Sequence, residues 1–387
     1  MIRGTLSKIR EKRDIVMIDQ RGTGQSNKLA CPIDEDMDLN TELDLGYVAE
    51  QTIICRDQLQ ADLRFYTTDI AMSDFNQVRV AMGYEKINIM GVSYGTRAAQ
   101  VYLRKYPETV RSAVFDSVVP MQLALGQDHA PMLDAALAKV FDDCYNNEEC
   151  NYSFGDSLNQ LNALAADLRS EARWVTIPDP ITGKDRDIRM SADTLAVAIR
   201  FLTYASETQA TLPILIDEAI ATGSLARLAA QALMVMNGLS DVVARGVELS
   251  IICSEDYPFI DTSADHSDTL LGSIFLESLK TQCDLWPRGE VAEDFHNPVV
   301  SDLPVLLLSG ERDPVTPPHY ADQAASSYSN PLNLVAQGQS HSVMTHPCFK
   351  KITTDFIAKG ATEKIEITCV EKIEASPFFS SLLGPNP

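Results

Sequence analysis

The sequence predicts an α/β fold in which a mostly parallel sheet is flanked by helices and carries an inserted helical region. Near both ends of the chain, short apolar runs alternate with segments of helical periodicity, as the strands and helices of a parallel sheet do. Between these ends, helical periodicity dominates and strand patterns weaken. We therefore expect a first core part at residues 1–120, a helical cap at 121–299 and a second core part at 300–387.

The elements of the first core part follow from the spacing of apolar residues. We predict an amphipathic helix over 2–9, a buried strand over 14–19, a mostly helical stretch over 57–82, a strand over 86–90, a helix over 96–106 and a strand over 111–119. The run 14–19, D-I-V-M-I-D, is continuous and bounded by charge, which is typical of a strand buried in a parallel sheet.

The same spacing predicts the elements that follow. In the cap we expect helices over 132–141, 157–168, 192–204 and 212–236. In the second core part we expect a strand over 303–308, a helix over 319–327, a strand over 332–336 and a helix over 347–359. The α/β alternation therefore resumes after the cap, as it does when a cap is inserted into a sheet domain.

The composition excludes several classes of partner. With 387 residues, 45% of them hydrophobic, the chain is long enough to bury a sizeable core. Its 32 basic against 54 acidic residues give a net charge of −22, which repels nucleic acid and anionic lipid. No run of about 18 apolar residues occurs, so we expect no membrane-spanning helix. We also expect no cofactor.

The eight cysteines are numerous for a cytosolic protein. None of them shows a C-x-x-C spacing, so we expect no zinc or other metal site. An even number scattered along the chain favours disulfides formed in an oxidising compartment, and short loops favour pairing between neighbours. The alternative is eight buried thiols. The neighbouring pairs are Cys31 with Cys55, Cys144 with Cys150, Cys253 with Cys283, and Cys348 with Cys369.

The segment G-V-S-Y-G at 91–95 matches the nucleophile-elbow pattern G-x-S-x-G. Its position between a predicted strand and a predicted helix makes the match specific, because such a turn presents the Ser93 hydroxyl above the sheet. The serine must adopt a strained backbone conformation there, and flanking glycines leave room for it. The backbone N–H of Tyr94, the next residue, is the expected oxyanion donor, and a second donor is expected from a loop after an earlier strand.

A serine hydroxyl needs a base, and the base needs an acid that orients it. Asp313 follows the predicted strand 303–308, and His341 follows the last predicted strand. Both residues therefore lie at the carboxyl ends of strands, where active sites of open α/β sheets assemble. The order Ser93, Asp313, His341 is also the order expected for a nucleophile elbow of this kind.

Other residues could take these two roles. Asp116, at the end of the strand 111–119, is an alternative acid, and Glu311 is a weaker one. His319 and His346 are the nearest alternative bases. Because His319 falls in a predicted helix and His346 precedes a proline, both are expected to be structural.

Four segments carry a family resemblance. They are D-Q-R-G-T-G-Q-S at 19–26, G-V-S-Y-G at 91–95, G-E-R-D-P-V-T-P at 310–317 and G-Q-S-H at 338–341. Together they resemble the proline iminopeptidase and tripeptidyl aminopeptidase-like branch of the α/β-hydrolases. The portion from Leu303 onward is also similar to the C-terminal domain of secreted tripeptidyl aminopeptidases. The cap matches more loosely, through C-S-E-D at 253–256 and C-D-L-W-P at 283–287.

The resemblance implies an α/β-hydrolase fold and an exopeptidase that takes peptides with a free N-terminus. Such enzymes need acidic groups in the cap to bind the substrate's ammonium, and Glu255 and Asp256 are the candidates. The alternative is an ordinary solvated acidic pair. The same triad would also serve a carboxylesterase, which the sequence does not separate from a peptidase.

One departure from the family concerns the start of the chain. The family carries an H-G-G-P-G-like loop before the D-Q-R-G segment, and this chain begins about one helix before Asp19. We expect that the first strands, the second oxyanion donor and a signal peptide precede Met1. A leader would agree with the cysteines, which favour a periplasmic or secreted protein. Without the loop, the chain could also be a catalytically impaired fragment, since one lost oxyanion donor costs about 100–1,000-fold in turnover.

Overall fold

The computed structural model describes residues 4–31, 43–179, 182–240, 243–381 and 383–385. Its strands are β1 Ile87–Val92, β2 Val110–Asp116, β3 Arg173–Pro178, β4 Asp185–Met190, β5 Ser301–Gly310 and β6 Tyr328–Ala336. Four of them form one parallel sheet in the order β1-β2-β5-β6. The pair β3 and β4 forms a separate antiparallel hairpin. The predicted parallel α/β sheet is therefore confirmed.

The α-helices surround this sheet or belong to the segment between β2 and β5. They are α1 Ser7–Arg10, α2 Leu45–Gln58, α3 Thr68–Ala81, α4 Tyr94–Lys105, α5 His129–Asn146, α6 Glu148–Phe154, α7 Ser157–Ser170, α8 Ala192–Leu202, α9 Ser206–Gln209, α10 Leu212–Thr222, α11 Ala226–Ser240, α12 Arg245–Ile251, α13 Ile274–Cys283, α14 Pro318–Ala325 and α15 Pro347–Lys359. A π-helical turn, Ile252–Asp256, continues α12. Helix α4 connects β1 to β2, and α14 connects β5 to β6, as parallel pairing requires.

The central strands β2 and β5 are apolar because both faces of the sheet are covered. Phe115 and Leu307 belong to the core that packs under α3 and α4 on one face. Val114 and Leu306 belong to the core that packs against α15 on the other face. Since successive residues of a strand point to opposite faces, a strand covered on both sides needs a continuous apolar run.

The segment between β2 and β5 has an apolar core of its own. Each of five helices, α5, α7, α8, α10 and α11, contributes to it, for example Leu133, Leu161, Leu195, Leu215 and Leu228. The single helix expected over 212–236 is in fact two helices. Gly223 adopts a φ of +71° and ends α10, because glycine tolerates the left-handed conformation that closes a helix.

The β3–β4 hairpin is an element that the sequence pattern does not predict. Its buried face carries Ile177, Ile188 and Met190, whereas Trp174 is 64% exposed. The remaining positions of β4 are mostly charged. One face therefore packs on the helices and the other faces solvent, so the hairpin lacks the apolar run used above to recognise strands.

The strand predicted over 14–19 is wrong, since these residues have no regular structure. Val16 is 43% exposed and Met17 is 65% exposed. A cavity of about 920 Å³ is lined by residues 14–18 on one side and by β1 on another. An apolar run becomes a strand only beside another strand whose N–H and C=O groups it can pair with. Here the cavity lies between residues 14–18 and β1, which pairs only with β2 among the described strands.

All eight cysteines are paired, and each bonds to its neighbour in sequence. The bonds are Cys31–Cys55, Cys144–Cys150, Cys253–Cys283 and Cys348–Cys369. The expected pairing between neighbours is confirmed. Across the residues that the structure describes, no helix combines the length and apolar character needed to cross a membrane.

Candidate active site

Ser93 lies at the sharp turn between β1 and α4 with φ +54° and ψ −127°. Backbone bonds fix this turn: the Ser93 N–H donates to the Asp116 carbonyl at 2.9 Å, and the Thr96 N–H donates to the Ser93 carbonyl at 2.8 Å. Gly91 is required, because a Cβ there would lie 2.2 Å from the Gly95 carbonyl oxygen. A Cβ at Gly95 would meet open space, so only the first glycine of the motif relieves a clash. The strain is typical of functional sites.

Asp313 and His341 lie on the loops that follow β5 and β6, and they contact each other directly. The distance from Asp313 Oδ2 to His341 Nδ1 is 2.8 Å. Asp313 Oδ1 accepts the backbone N–H groups of Val315 at 2.9 Å and Thr316 at 2.8 Å. The Thr316 hydroxyl donates to Oδ2 at 2.7 Å. The carboxylate is therefore fixed by its own loop and aimed at the imidazole.

The electrostatics of this pair favour a charged imidazole beside a charged carboxylate. Burial on its own would raise the pKa of Asp313, but the charge and hydrogen bond of His341 and the bonds from Thr316 lower it to about 2. Burial on its own would lower the pKa of His341, but the carboxylates of Asp313 and Asp116 outweigh it and leave the pKa raised above 6.5. The pair is thus built to stabilise an imidazolium, which a base at this position becomes after it takes a proton.

The described residues show no hydrogen bond between the Ser93 hydroxyl and His341. Such contacts are often loose before a substrate binds. The carboxyl ends of β1, β5 and β6 carry the turn or loop of Ser93, Asp313 and His341 respectively, at the same edge of the parallel sheet.

The alternative acids and bases have other partners. The Asp116 carboxylate accepts hydrogen bonds from two backbone N–H groups of the loop after β6, whereas the imidazole of His341 contacts Asp313. Glu311 Oε2 accepts the Gly338 N–H at 2.8 Å. His319 lies in α14, and His346 accepts the Cys348 N–H at the start of α15. In this geometry Asp313 is the carboxylate that contacts His341.

Tyr94 begins helix α4, so its N–H belongs to the first turn, where N–H groups have no acceptor within the helix. Its side chain joins a buried chain of hydrogen bonds. The Tyr94 hydroxyl lies 2.7 Å from Thr68 Oγ1, which donates to Glu255 Oε2 at 2.7 Å. The Thr68 N–H donates to Glu255 Oε1 at 2.5 Å. Burial raises the pKa of Glu255 to about 8, although the Thr68 bonds oppose it.

Asp256 is the neighbour of Glu255 on the π-helical turn but has a different environment. It forms an ion pair with Arg97 of α4, and both side chains are fully buried. Asp256 Oδ1 also accepts the Leu125 N–H at 2.8 Å. Arg97 further donates to the Pro120 carbonyl at 3.2 Å and to the Leu123 carbonyl. The pair therefore joins helix α4, the segment after β2 and the π-helical turn.

The first residue of α9 and the segment before it support the loop that carries His341, which we call the His341 loop, residues 337–346. The His341 N–H donates to the Tyr204 carbonyl at 3.2 Å, and the two rings meet edge to face at 5.4 Å. The Ser340 N–H donates to Ser206 Oγ at 2.9 Å. Neither these residues nor Thr68 and Arg97 stood out in the sequence, because no motif marks a residue whose partner lies far along the chain. Thr316 lies in the 310–317 segment, but nothing in the sequence predicts a role of its own for it.

Family models match both parts of the sheet. Residues 3–196 match the model described as alpha/beta hydrolase fold, and residues 268–369 match the one described as TAP-like protein. The first match covers half of the chain, and the chain belongs to the α/β-hydrolase family. The fold and family that the sequence predicts are confirmed.

Three relatives extend this comparison. Serine protease Hip1 of Mycobacterium tuberculosis is 22% identical over 94% of this chain and 75% of its own length. Tripeptidyl aminopeptidase of Streptomyces coelicolor is 22% identical over 94% of this chain and 71% of its own length. The tripeptidyl aminopeptidase of Streptomyces lividans is also 22% identical, over 94% of this chain and 72% of its own length. Family and relatives together assign the chain to the serine hydrolases.

Proposed function

We propose that the chain is a peptidase that removes residues from the N-termini of peptides through an acyl-enzyme on Ser93. The observation that carries the proposal is the 2.8 Å contact between Asp313 and His341, placed at the same sheet edge as the strained Ser93. The similarity to tripeptidyl aminopeptidases supports a peptide substrate with a free N-terminus.

In this mechanism, Ser93 Oγ attacks the carbonyl carbon and His341 Nε2 takes the hydroxyl proton. The Tyr94 N–H stabilises the oxyanion of the tetrahedral intermediate. The intermediate then expels the amine, which receives the proton from His341. Water attacks the acyl-enzyme with His341 as base, which releases the acid product and restores the serine. Throughout, Asp313 holds the imidazole with its proton on Nδ1 and stabilises the imidazolium.

Glu255 is the residue to which we assign the substrate's ammonium group. Its carboxylate is fully buried, and the hydrogen bonds through Thr68 connect it to Tyr94, the residue after the nucleophile. Burial raises the pKa of this carboxyl to about 8, because an unpaired buried charge is costly, and a substrate ammonium beside it would favour the charged form and pair with it. The neighbouring Asp256 is already paired with Arg97, so its role in this subsite is to hold the π-helical turn in place.

The first test identifies the nucleophile. A fluorophosphonate probe followed by peptide mapping is expected to modify Ser93, and Ser93→Ala is expected to abolish both labelling and peptide cleavage. Cleavage that persists in the variant would remove Ser93 from the mechanism. A folded chain that takes up no probe would favour a catalytically impaired fragment.

The second test concerns the free amine. Aminoacyl anilides are expected to be cleaved, whereas their N-acetylated forms are not, because acetylation removes the ammonium. Equal rates on both would favour a carboxylesterase. Glu255→Gln is expected to lower kcat/KM for the free-amine substrate by at least about tenfold, through loss of the buried charge pair. Glu248→Gln is the matched control, because Glu248 is an exposed residue of the same segment whose partner is Arg245.

We also propose that the protein acts in the periplasm or outside the cell. The support is the pairing of all eight cysteines, since disulfides persist in oxidising compartments and are rare in the cytosol. Fractionation of cells that express the native gene tests this, and recovery of the protein in the cytosol with free thiols would contradict it.

A further inference from the structure

Asp116 lies at the carboxyl end of the central strand β2, beside the nucleophile elbow. In the parallel register it is opposite Val92, the residue before the nucleophile. Its carbonyl oxygen accepts the Ser93 N–H at 2.9 Å, and the residue is fully buried. The backbone of Asp116 therefore fixes the position of the nucleophile.

The side chain of Asp116 holds the His341 loop. Oδ1 accepts the Val343 N–H at 3.0 Å, and Oδ2 accepts the Met344 N–H at 3.0 Å. The Ser342 hydroxyl also lies 3.3 Å from Oδ2. The next residue of the strand continues the pattern, because Ser117 Oγ accepts the Ser342 N–H at 2.8 Å. Three consecutive N–H groups after His341 are thus bound by two consecutive side chains.

The backbone on both sides of this contact is strained. Ser117 has a φ of +58° and Ser342 a φ of +67°. Such values are uncommon for residues other than glycine, and they persist where the surroundings over-determine them. The bonds from residues 342–344 to Asp116 and Ser117 therefore hold the backbone that follows His341 in its strained conformation.

We propose that Asp116 is a positioning residue that holds the His341 loop in register with the nucleophile elbow, through its backbone on one side and its carboxylate on the other. The proposal rests on the function proposed above and adds a residue outside the triad to it. It also replaces the idea of Asp116 as the acid itself, since His341 Nδ1 is bonded to Asp313.

The charge of Asp116 gives the proposal a second readout. The groups that face His341 are Asp313 from the loop after β5, Asp116 from β2, Arg200 from α8 and the ring of Tyr204. Burial and Arg200 lower the pKa of His341, whereas the two carboxylates raise it. Loss of the Asp116 charge therefore lowers the pKa of His341. The acidic limb of the pH–rate profile, along which the rate falls as His341 becomes protonated, then moves to lower pH.

Asn is the informative replacement because it keeps the shape and changes the chemistry. Each carboxylate oxygen of Asp116 accepts one backbone N–H. An amide has one acceptor oxygen, so its NH2 group would face the other backbone N–H, where no hydrogen bond can form. The loop must then shift, and small misplacement of a reacting group costs up to about 100-fold in rate.

The test compares Asp116→Asn with the wild type by the second-order rate of fluorophosphonate labelling and by kcat/KM as a function of pH. We expect both rates to fall about 10–100-fold and the acidic limb to shift to lower pH. Asp134→Asn is the matched control, since Asp134 also accepts a backbone N–H, that of Leu270, but does so on α5. Thermal unfolding of each variant shows whether it is folded.

The outcomes separate this proposal from the function on which it rests. A folded Asp116→Asn that labels at the wild-type rate with an unmoved acidic limb overturns the positioning role. A loss as large as that of Asp313→Asn also overturns it, because Asp116 would then act as the acid. If Asp116→Asn does not fold, Ser117→Ala decides: we expect a smaller loss with no shift of the limb, and an unchanged rate refutes the proposal. Absence of labelling in the wild type would instead refute the proposed function.

Discussion

Replacement of Asp313 by Asn should invert the tautomer of His341. Asp313 Oδ1 accepts two backbone N–H groups, those of Val315 and Thr316. These donors will keep the amide oxygen of Asn at the same place, so the NH2 group must take the position of Oδ2 and face His341 Nδ1. An NH2 group donates, so Nδ1 must accept and the imidazole proton moves to Nε2. In that form Nε2 cannot take the proton of Ser93.

The size of the effect follows from this inversion. The geometry stays intact because Asp and Asn have the same shape, but the base is in the wrong protonation state. For a Ser-His-Asp triad this change costs about 10⁴-fold in kcat, which is about 5.5 kcal/mol of transition-state stabilisation. We expect the same loss here, larger than that of Asp116→Asn, because Asp313 contacts the imidazole and Asp116 contacts only its loop.

The assay is the rate of fluorophosphonate labelling at Ser93 together with steady-state cleavage of an aminoacyl anilide. Thermal unfolding serves as the check on folding, and Asp134→Asn is the control for an Asp-to-Asn change elsewhere. A folded Asp313→Asn with activity within about tenfold of the wild type would refute the tautomer argument. It would then favour another acid, and Asp116 and Glu311 would have to be tested in that role.

Three further predictions concern pH, stability and the cysteines. Because His341 must be neutral to act as a base and its pKa is raised, the rate of fluorophosphonate labelling should fall with decreasing pH along a limb whose midpoint lies above 6.5. Arg97→Met should lower the free energy of unfolding by about 3–5 kcal/mol, because it leaves the Asp256 carboxylate buried without a cation. Thiol titration of the denatured, unreduced protein should find none of the eight cysteines free.

Each of these three predictions has a control variant or a result that would contradict it. A limb midpoint well below 6.5 would show that Asp313 and Asp116 do not control the charge of His341. Arg245→Met removes one partner of an exposed pair with Glu248 and should cost no more than about 1 kcal/mol, so an equal loss in Arg97→Met would contradict the buried-pair argument. A titration near eight thiols would contradict the disulfides.

The sequence was most informative where the chemistry is local. The glycine-flanked Ser93 lies in one short motif, and Asp313 and His341 each follow an apolar run that the sheet requires. Since the carboxyl ends of parallel strands share one edge, their position after these strands brings Asp313 and His341 together. Their contact could therefore be predicted without any knowledge of the distance between them.

The contacts that the sequence did not reveal join residues that lie far apart along the chain. Asp116 accepts the backbone N–H groups of Val343 and Met344, and a backbone group leaves no mark in the sequence. Arg97 meets Asp256 across 159 positions. The run 14–19 fails for the opposite reason, since its apolar character is real but a strand also needs a neighbour to pair with.

The bonds between Thr203, Tyr204 and the His341 loop limit how freely the segment between β2 and β5 can be exchanged between relatives. Ser340 Oγ donates to the Thr203 carbonyl at 2.5 Å, and the His341 N–H donates to the Tyr204 carbonyl. An exchange of the segment between β2 and β5 for that of a relative would replace these acceptors along with the ammonium site proposed at Glu255. Grafts that are meant to alter specificity should therefore retain residues 203–206, or else be redesigned together with the His341 loop.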